Sequence, residues 1–330
     1  MPLKPDANQI EAFLDQLASE GWVRRGAQHW WPKFVFHYSD VRNVVRILHE
    51  GRILCRRQLE AGNGIPVDCA SPTIINQTHQ NIKNFVRLYF RPRTPTQFHM
   101  EGIRPTGQRA LGGAHCPVPI FLLFDSKAIL SRMDCEYSDG NLAASYHRRG
   151  TSANFLKMLP FRKIYHVGPF DQSMKSEIVF HRNAEVIIPN ELDLSALRFI
   201  VCRSPAEMET LIYLLPLNTW EQWHDKILVE GRLDLFELRW TFVERVDLSK
   251  DSAIFNFSPD TRTPGPYQAE IELVDQGTGR NYSKIMQGFT VQKSWSIKIP
   301  SNVSSYTFQL KLDGDLAYMN SYSGIDDIPF

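Results

Sequence analysis

Apolar residues recur at helical spacing near the start of the chain. In QIEAFLDQLAS, Ile10, Phe13, Leu14 and Leu17 fall at i, i+3, i+4 and i+7, with Gly21 beyond them as a stop, which predicts a short amphipathic helix. A strand-like run, KFVFHYS, follows. SDVRNVVRILHEG then gathers Val41, Val44, Val45 and Leu48 on one helical face, between a Ser39 or Asp40 cap and a terminating Gly51. Residues 60–72, EAGNGIPVDCASP, carry loop chemistry. The runs at 84–90 and 118–124 predict buried strands. RKIYHVGPF, SEIVFH, AEVIIP and LRFIVCR read as short β-type runs punctuated by Pro, Gly and Asn. SPAEMETLIYLL begins as helices begin, with Ser204 as cap, Pro205 in the first turn and Glu207 closing a capping box.

The pattern changes after the Trp-rich PLNTWEQWHDK. AIFNFS, YQAEIELV, KSWSIKIP and SYTFQLKL alternate apolar and polar residues around the turns DQGTG and DG, which predicts an all-β sandwich. A chain of 330 residues favours more than one domain. The expected division is an N-terminal extension at 1–30, a first domain at 31–215, a connector at 216–228 and the sandwich at 229–330. Charge follows the same division: residues 1–215 hold 26 Lys/Arg against 20 Asp/Glu, and 216–330 hold 11 against 16. A basic first domain suits an anionic partner, although the excess is modest beside that of dedicated nucleic-acid binders. Five scattered cysteines with no CxxC pair argue for a reducing, cytoplasmic setting and against a zinc site or disulfide frame. No apolar run is long enough to span a membrane and the N-terminus lacks a signal-peptide pattern, so no membrane association is expected.

The most unusual stretch is LYFRPRTP at 88–95. Each proline removes a backbone donor and biases the residue before it towards extended geometry. The chain therefore leaves a strand stiffly, holding out Arg91 and Arg93 as phosphate ligands or as a rigid solvated turn. His37, at a strand end before a capped helix, is placed to hydrogen-bond a ligand or to be satisfied by nearby backbone. Glu177, read as the start of the strand SEIVFH, has Lys175 and His181 near it in sequence and is suited to stabilising a cation or accepting a proton. Glu185 and Glu191 are its rivals for a carboxylate role. Walker, GxGxxG, HExxH and GxSxG motifs are absent, and the scattered His, Cys and carboxylates give no metal set.

Taken in order, four segments resemble the DarT family of NAD-dependent ADP-ribosyltransferase toxins that modify nucleic-acid bases. They are FHYSDVRNVVRILHEGRIL, VRLYFRPRTPTQFH, YSDGNLAASY and MKSEIVFH, and the likeness runs over residues 32–215. The first resembles the family's Tyr-His-x-Thr strand and following helix. The second, the most specific, resembles its Phe-Tyr-Phe-x-Pro-Arg-Ser-Pro signature.

The resemblance implies an α+β, ADP-ribosyltransferase-like split β-sheet with flanking helices, carrying here a C-terminal all-β sandwich-like domain. It implies NAD as co-substrate, held by His37, Tyr38, Ser39, Asn43, Tyr89, Phe90 and Arg91. Glu177, Arg93 and His79 would be catalytic, and Arg91, Lys175, Arg148 and Arg149 would contact nucleic acid. The implied acceptor is single-stranded DNA or RNA. The implied setting is a toxin–antitoxin system, with phage defence as its context and an antitoxin bound through the sandwich. In one respect the chain departs from the family. Where relatives place an arginine on the helix before the second motif, SPTIINQTHQNIK has none. His79 or Asn76 would take its part, or Arg87 or Arg91 would reach in from the next strand. A non-catalytic nucleic-acid-binding protein on the same fold and a protein ADP-ribosyltransferase are the competing readings.

Overall fold

The computed structural model describes residues 1–62, 64–70, 75, 80–110, 112–231 and 233–324. Its centre is an eight-stranded sheet of order β10-β9-β4-β1-β3-β7-β5-β6. These strands are β1 Phe34–Asp40, β3 Phe85–Tyr89, β4 Pro119–Asp125, β5 Glu136–Ser138, β6 Arg149–Gly150, β7 Glu185–Pro189, β9 Leu197–Cys202 and β10 Ile227–Val229. A separate pair, β2 Arg52–Leu54 and β8 Glu191–Asp193, lies beside it. Only β9 and β10 run parallel; the other pairings in the large sheet are antiparallel.

One junction in this sheet is different. β1 pairs with β4 along all seven residues, from Phe34 against Asp125 to Asp40 against Pro119, but meets β3 at a single register pair, Phe36 with Tyr89. The sheet is therefore split between β1 and β3, as the resemblance implies, and the cleft described below opens there.

Helices close the faces. Ile10, Leu14 and Leu17 of helix Ala7–Ser19 are buried as the periodicity predicts. In helix Val41–Glu50 the cap is Asp40, whose carboxylate accepts from Arg42 N, and Gly51 ends the helix at φ 70°, the left-handed position that glycine alone takes without penalty. Ser204 caps helix Pro205–Leu214 by accepting from Glu207 N. The Glu207 carboxylate does not complete a capping box; it pairs with the buried Arg203.

Two runs expected to be strands are helical. SEIVFH lies in helix Lys175–Arg182, where only Ile178 and Phe180 are buried. A two-residue spacing of apolar positions over six residues does not separate a strand from a short helix. RKIYHV likewise contributes to the turn of helix Phe161–Ile164.

The C-terminal region forms two antiparallel sheets. One joins β11 Val243–Leu248, β12 Ser252–Phe257 and β15 Ser294–Lys298; the other has the order β14-β13-β16-β17, with β13 Tyr267–Asp275, β14 Asn281–Phe289, β16 Tyr306–Leu312 and β17 Asp315–Tyr322. Phe255, Phe308 and Tyr318 are fully buried between them. The segment expected as a connector is instead integral to the first unit. Helix Leu217–Trp223 precedes β10, which extends the large sheet, and Leu235 and Phe236 belong to the main core. Phe236 packs on Phe121 with ring centroids 5.1 Å apart. The sandwich strands begin at Val243.

The two units are tied by polar contacts. Tyr318 Oη donates to Glu209 at 2.7 Å, Met319 N donates to Thr210 Oγ1 at 3.1 Å, and Arg109 reaches Asp315 at 2.6 Å. Buried Glu101 accepts from the backbone of Glu237 and Leu238 at 2.9–3.0 Å. Truncating Phe236 to alanine empties an aromatic site between the segment after β10 and the sheet. It is expected to cost about 3–5 kcal/mol of unfolding free energy, read as a lower urea midpoint. A loss below about 1 kcal/mol would show that the segment is not part of the core.

Candidate active site

A cleft of about 290 Å³ opens at the split, lined by His37, Tyr38, Ser39 and Asn43 on one side and Phe85, Arg87 and Tyr89 on the other. Ile53, Leu54, Leu59, Ile65 and Val67 supply apolar wall, and Arg46, Arg52 and Arg56 supply charged wall together with Glu50 and Asp68, which pair with Arg46 and Arg56. This mixture of apolar surface with a few fixed polar groups is typical of small-molecule sites.

Local geometry fixes its polar groups. Asn43 lies one helical turn after Ser39, and its Nδ2 donates to Ser39 Oγ at 2.9 Å and to Val67 O at 2.8 Å, while its Oδ1 accepts from Val67 N at 3.0 Å. One amide thus pins the 64–70 loop over the strand end. His37 Nδ1 lies 3.1 Å from the Arg87 carbonyl across the split. A carbonyl only accepts, so Nδ1 carries the proton and Nε2 remains an acceptor.

On β3, Val86 and Leu88 enter the core while Phe85, Arg87 and Tyr89 take the other face. β7 pairs with β3 so that Tyr89 opposes Glu185 and Arg87 opposes Ile187. Glu185 is then the diagonal neighbour of Arg87 on one face, within reach of a long side chain. The two form a bidentate pair: Arg87 Nη2 meets Glu185 Oε1 at 2.6 Å, and Nε meets Oε2. Glu185 is fully buried and also accepts from Leu142 N at 3.2 Å. Burial alone would lower the Arg87 guanidinium, but the Glu185 carboxylate raises it above its usual value. Burial, and then Glu185, push the Tyr89 hydroxyl up to about 12.

The other expected site residues are spread more widely. Tyr38 and Ser39 line the cleft, but Phe90, the residue directly after β3, turns into the core against Phe161 at 5.5 Å. Successive strand side chains face opposite ways, so the two aromatics cannot share one wall. Arg91 is buried and turned from the cleft, stacked over Trp31 at 4.8 Å with Nη1 donating to Ile164 O at 3.0 Å. Arg93 takes a left-handed φ of 53° and pairs with Asp234 and Glu237. Thr94 and Pro95 of the same stretch are the cap and first residue of helix Pro95–Met100, which gives RPRTP its local purpose.

Glu177 is exposed on its helix and paired with Lys163 rather than set at a strand entrance. That hydrogen bond holds its carboxyl below the usual range. Lys175 is exposed at the start of the same helix. Arg148 pairs with Asp139 at 2.8 Å, and Arg149 lies over the cleft-lining Phe85 ring at 5.6 Å. His79, Asn76 and Gln77 lie outside the described residues. Among the described residues no cluster of His, Cys, Asp or Glu could hold a metal ion, and no helix is long and apolar enough to cross a membrane. The Arg87–Glu185 pair had a signal in the sequence, for these are charges inside runs that otherwise read as buried strands. Their pairing rests on register.

The family described as "ssDNA thymidine ADP-ribosyltransferase, DarT" matches residues 36–236, more than half of the chain. The chain belongs to the DarT family. It is an NAD-dependent ADP-ribosyltransferase, with NAD as co-substrate. The match ends at Phe236, the last core residue before the sandwich. The chain is also similar to Thermus sp. 2.9 DarT in complex with ADP-ribosylated ssDNA, at 18% identity and TM-score 0.49, covering 62% of this chain and 96% of that one. Thermus sp. 2.9 DarT in complex with NAD+ gives 16% identity and TM-score 0.46, over 62% and 98%. Thermosipho africanus DarTG in complex with ADP-ribose gives 17% and 0.45, over 66% and 53%. No curated protein matches the chain.

Burial lowers the His37 imidazole from 6.5, with the Arg87 carbonyl acting in the opposite sense. The unfolded chain therefore binds this proton more readily. The stability contributed by the neutral ring is complete above pH 6.5 and is lost as pH falls from there towards the lowered folded value. Urea midpoints at about pH 7.5 and about pH 5.5 should fall further apart for the wild type than for His37→Gln. Equal separations would remove His37 from the acid-sensitive groups.

Proposed function

We propose that the chain transfers ADP-ribose from NAD to a base in single-stranded DNA, releasing nicotinamide, and that Glu185 is the carboxylate of the reaction. The observation that carries this reading is the joining of three elements at the split: buried Glu185 gripped by Arg87, the Arg87 carbonyl held by His37, and Tyr89 beside both. His37, Tyr38, Ser39 and Asn43 would hold the dinucleotide along β1, in the part of the cleft that Arg46, Arg52 and Arg56 also line, each paired there with a carboxylate, Glu50, Glu191 and Asp68 respectively. The Tyr89 ring supplies the aromatic wall for nicotinamide.

When the bond between C1 of the ribose and nicotinamide breaks, the electron pair leaves with nicotinamide and C1 becomes oxocarbenium-like. A fixed carboxylate in a water-poor site stabilises that charge. The base nitrogen then bonds to C1, and its proton passes to the carboxylate. Glu185 is buried and borders the cleft through Arg87, whereas Glu177 is exposed and engaged by Lys163. Arg87 would take the part of the arginine that the 71–83 segment lacks. A base edge free of pairing is required, which favours a single strand, and the family description names single-stranded DNA. Toxin action restrained by an antitoxin is part of the same proposal.

Incubation with labelled NAD and, in turn, single-stranded DNA, the same DNA as duplex, RNA and cell-lysate protein should label the single-stranded DNA. Label on RNA alone would move the acceptor, label on polypeptide alone would make the chain a protein ADP-ribosyltransferase, and label on none would favour a silent interaction protein.

Glu185→Gln should lower transfer at least about a hundredfold, with folding checked by thermal denaturation. Glu177→Gln, which removes one surface ion pair, should stay within about threefold of wild type. The reverse outcome would return the role to Glu177.

A further inference from the structure

On the far side of helix Pro95–Met100 from the cleft lies a second cavity, of about 570 Å³. The helix separates the two: Thr96 and Met100 line the cleft, while Pro95, Phe98 and His99 line the second cavity. Four guanidinium groups converge on it, those of Arg91, Arg93, Arg182 and Arg239, against two carboxylates, Asp234 and Glu237.

The carboxylates do not serve all four. Arg93 pairs with Asp234 and Glu237, and Arg239 lies 3.5 Å from Glu237. Arg91 and Arg182 have no carboxylate within ion-pair distance among the described residues; they are held instead by backbone carbonyls, both of them by that of His166. Arg91 makes its hydrogen bonds through Nε and Nη1, and Arg182 through Nε and Nη2, which leaves Arg91 Nη2 and Arg182 Nη1 without a protein partner among the described residues. Two neighbouring cations that the Glu237 carboxylate reaches only from beyond ion-pair distance are costly to hold. Burial, with Arg182 and Arg93 adding repulsion, lowers the Arg91 guanidinium to about 9.

Aromatic faces stand among these charges: Phe170 lies under Arg182 at 5.5 Å and Phe98 under Arg239 at 5.8 Å. Guanidinium groups interleaved with aromatic rings are the chemistry that holds single-stranded nucleic acid, phosphates on the cations and bases on the rings.

We infer that this cavity is a second binding site, which takes the phosphodiester and neighbouring base of the acceptor strand next to the nucleotide modified in the cleft. The inference rests on the proposed acceptor and deepens it. The strand lies across helix Pro95–Met100, with the reacting base on the Thr96 side and its neighbour on the Phe98 side. The rigid RPRTP exit then has two functions, since it ends the cleft-lining strand and presents Arg91 and Arg93 to the second cavity.

The test uses the full chain and a fluorescein-labelled, mixed-sequence single-stranded DNA of about twenty nucleotides, read by fluorescence anisotropy. Arg182→Gln and Arg239→Gln are each expected to weaken binding about tenfold and to lessen the slope of log affinity against log salt by about 0.7 for each phosphate no longer neutralised. Affinity for NAD, measured separately by calorimetry, should not change. Arg239, less tied to the protein than Arg182, guards against a folding artefact in the other variant.

Oligonucleotide affinity equal to wild type in both variants would overturn the inference. So would a matching loss of NAD affinity, which would assign these arginines to the dinucleotide's own pyrophosphate. Failure of the wild-type protein to modify any oligonucleotide would instead sink the proposed acceptor.

Discussion

The cleft exists because one ladder in the large sheet stops. β1 is fully committed to β4, yet it gives β3 only the Phe36–Tyr89 pair. Buried backbone groups left by such a break need other partners. One substitution is visible: the His37 ring, not a backbone amide, meets the Arg87 carbonyl. The same bond that spans the opening fixes the tautomer of a cleft-facing histidine. One interaction thus both bridges the opening and orients an imidazole that lines it.

From that junction the arrangement of charge follows. Arg87 faces the cleft because β3 alternates, and a half-buried guanidinium is stabilised by a counter-charge. β7 offers Glu185 at the diagonal position. A buried carboxylate with a bidentate arginine is held more firmly than one on a surface helix, where an ion pair with lysine is worth little. Glu177 has the second kind of environment and Glu185 the first.

The sandwich packs on the first unit away from the described cleft wall. None of the described residues lining the cleft comes from it; it docks instead against Thr106, Arg109 and helix Pro205–Leu214. Among the described residues the acidic module thus does not fold back over the basic cleft, an arrangement that the charge asymmetry alone would permit. Just before the sandwich, Glu101 ties the backbone at 237–238 to the end of helix Pro95–Met100.

Patterning along the chain is enough for the long elements. The helices at 7–19, 41–50 and 205–214, the alternating strands of the sandwich and the RPRTP signature depend on local spacing, caps and turns, which neighbours in sequence specify. SEIVFH and the 216–228 segment are not legible in this way, because a few residues carry little periodicity and their state is set by what they pack against. Phe90 faces the core and Tyr89 the cleft because pleating forces a choice, and only the packed sheet says which face is which. Above all, no spacing in the sequence says that residue 185 lies diagonal to residue 87. That fact belongs to strand register, a product of the whole folded sheet, and it is what buries the Glu185 carboxylate against Arg87.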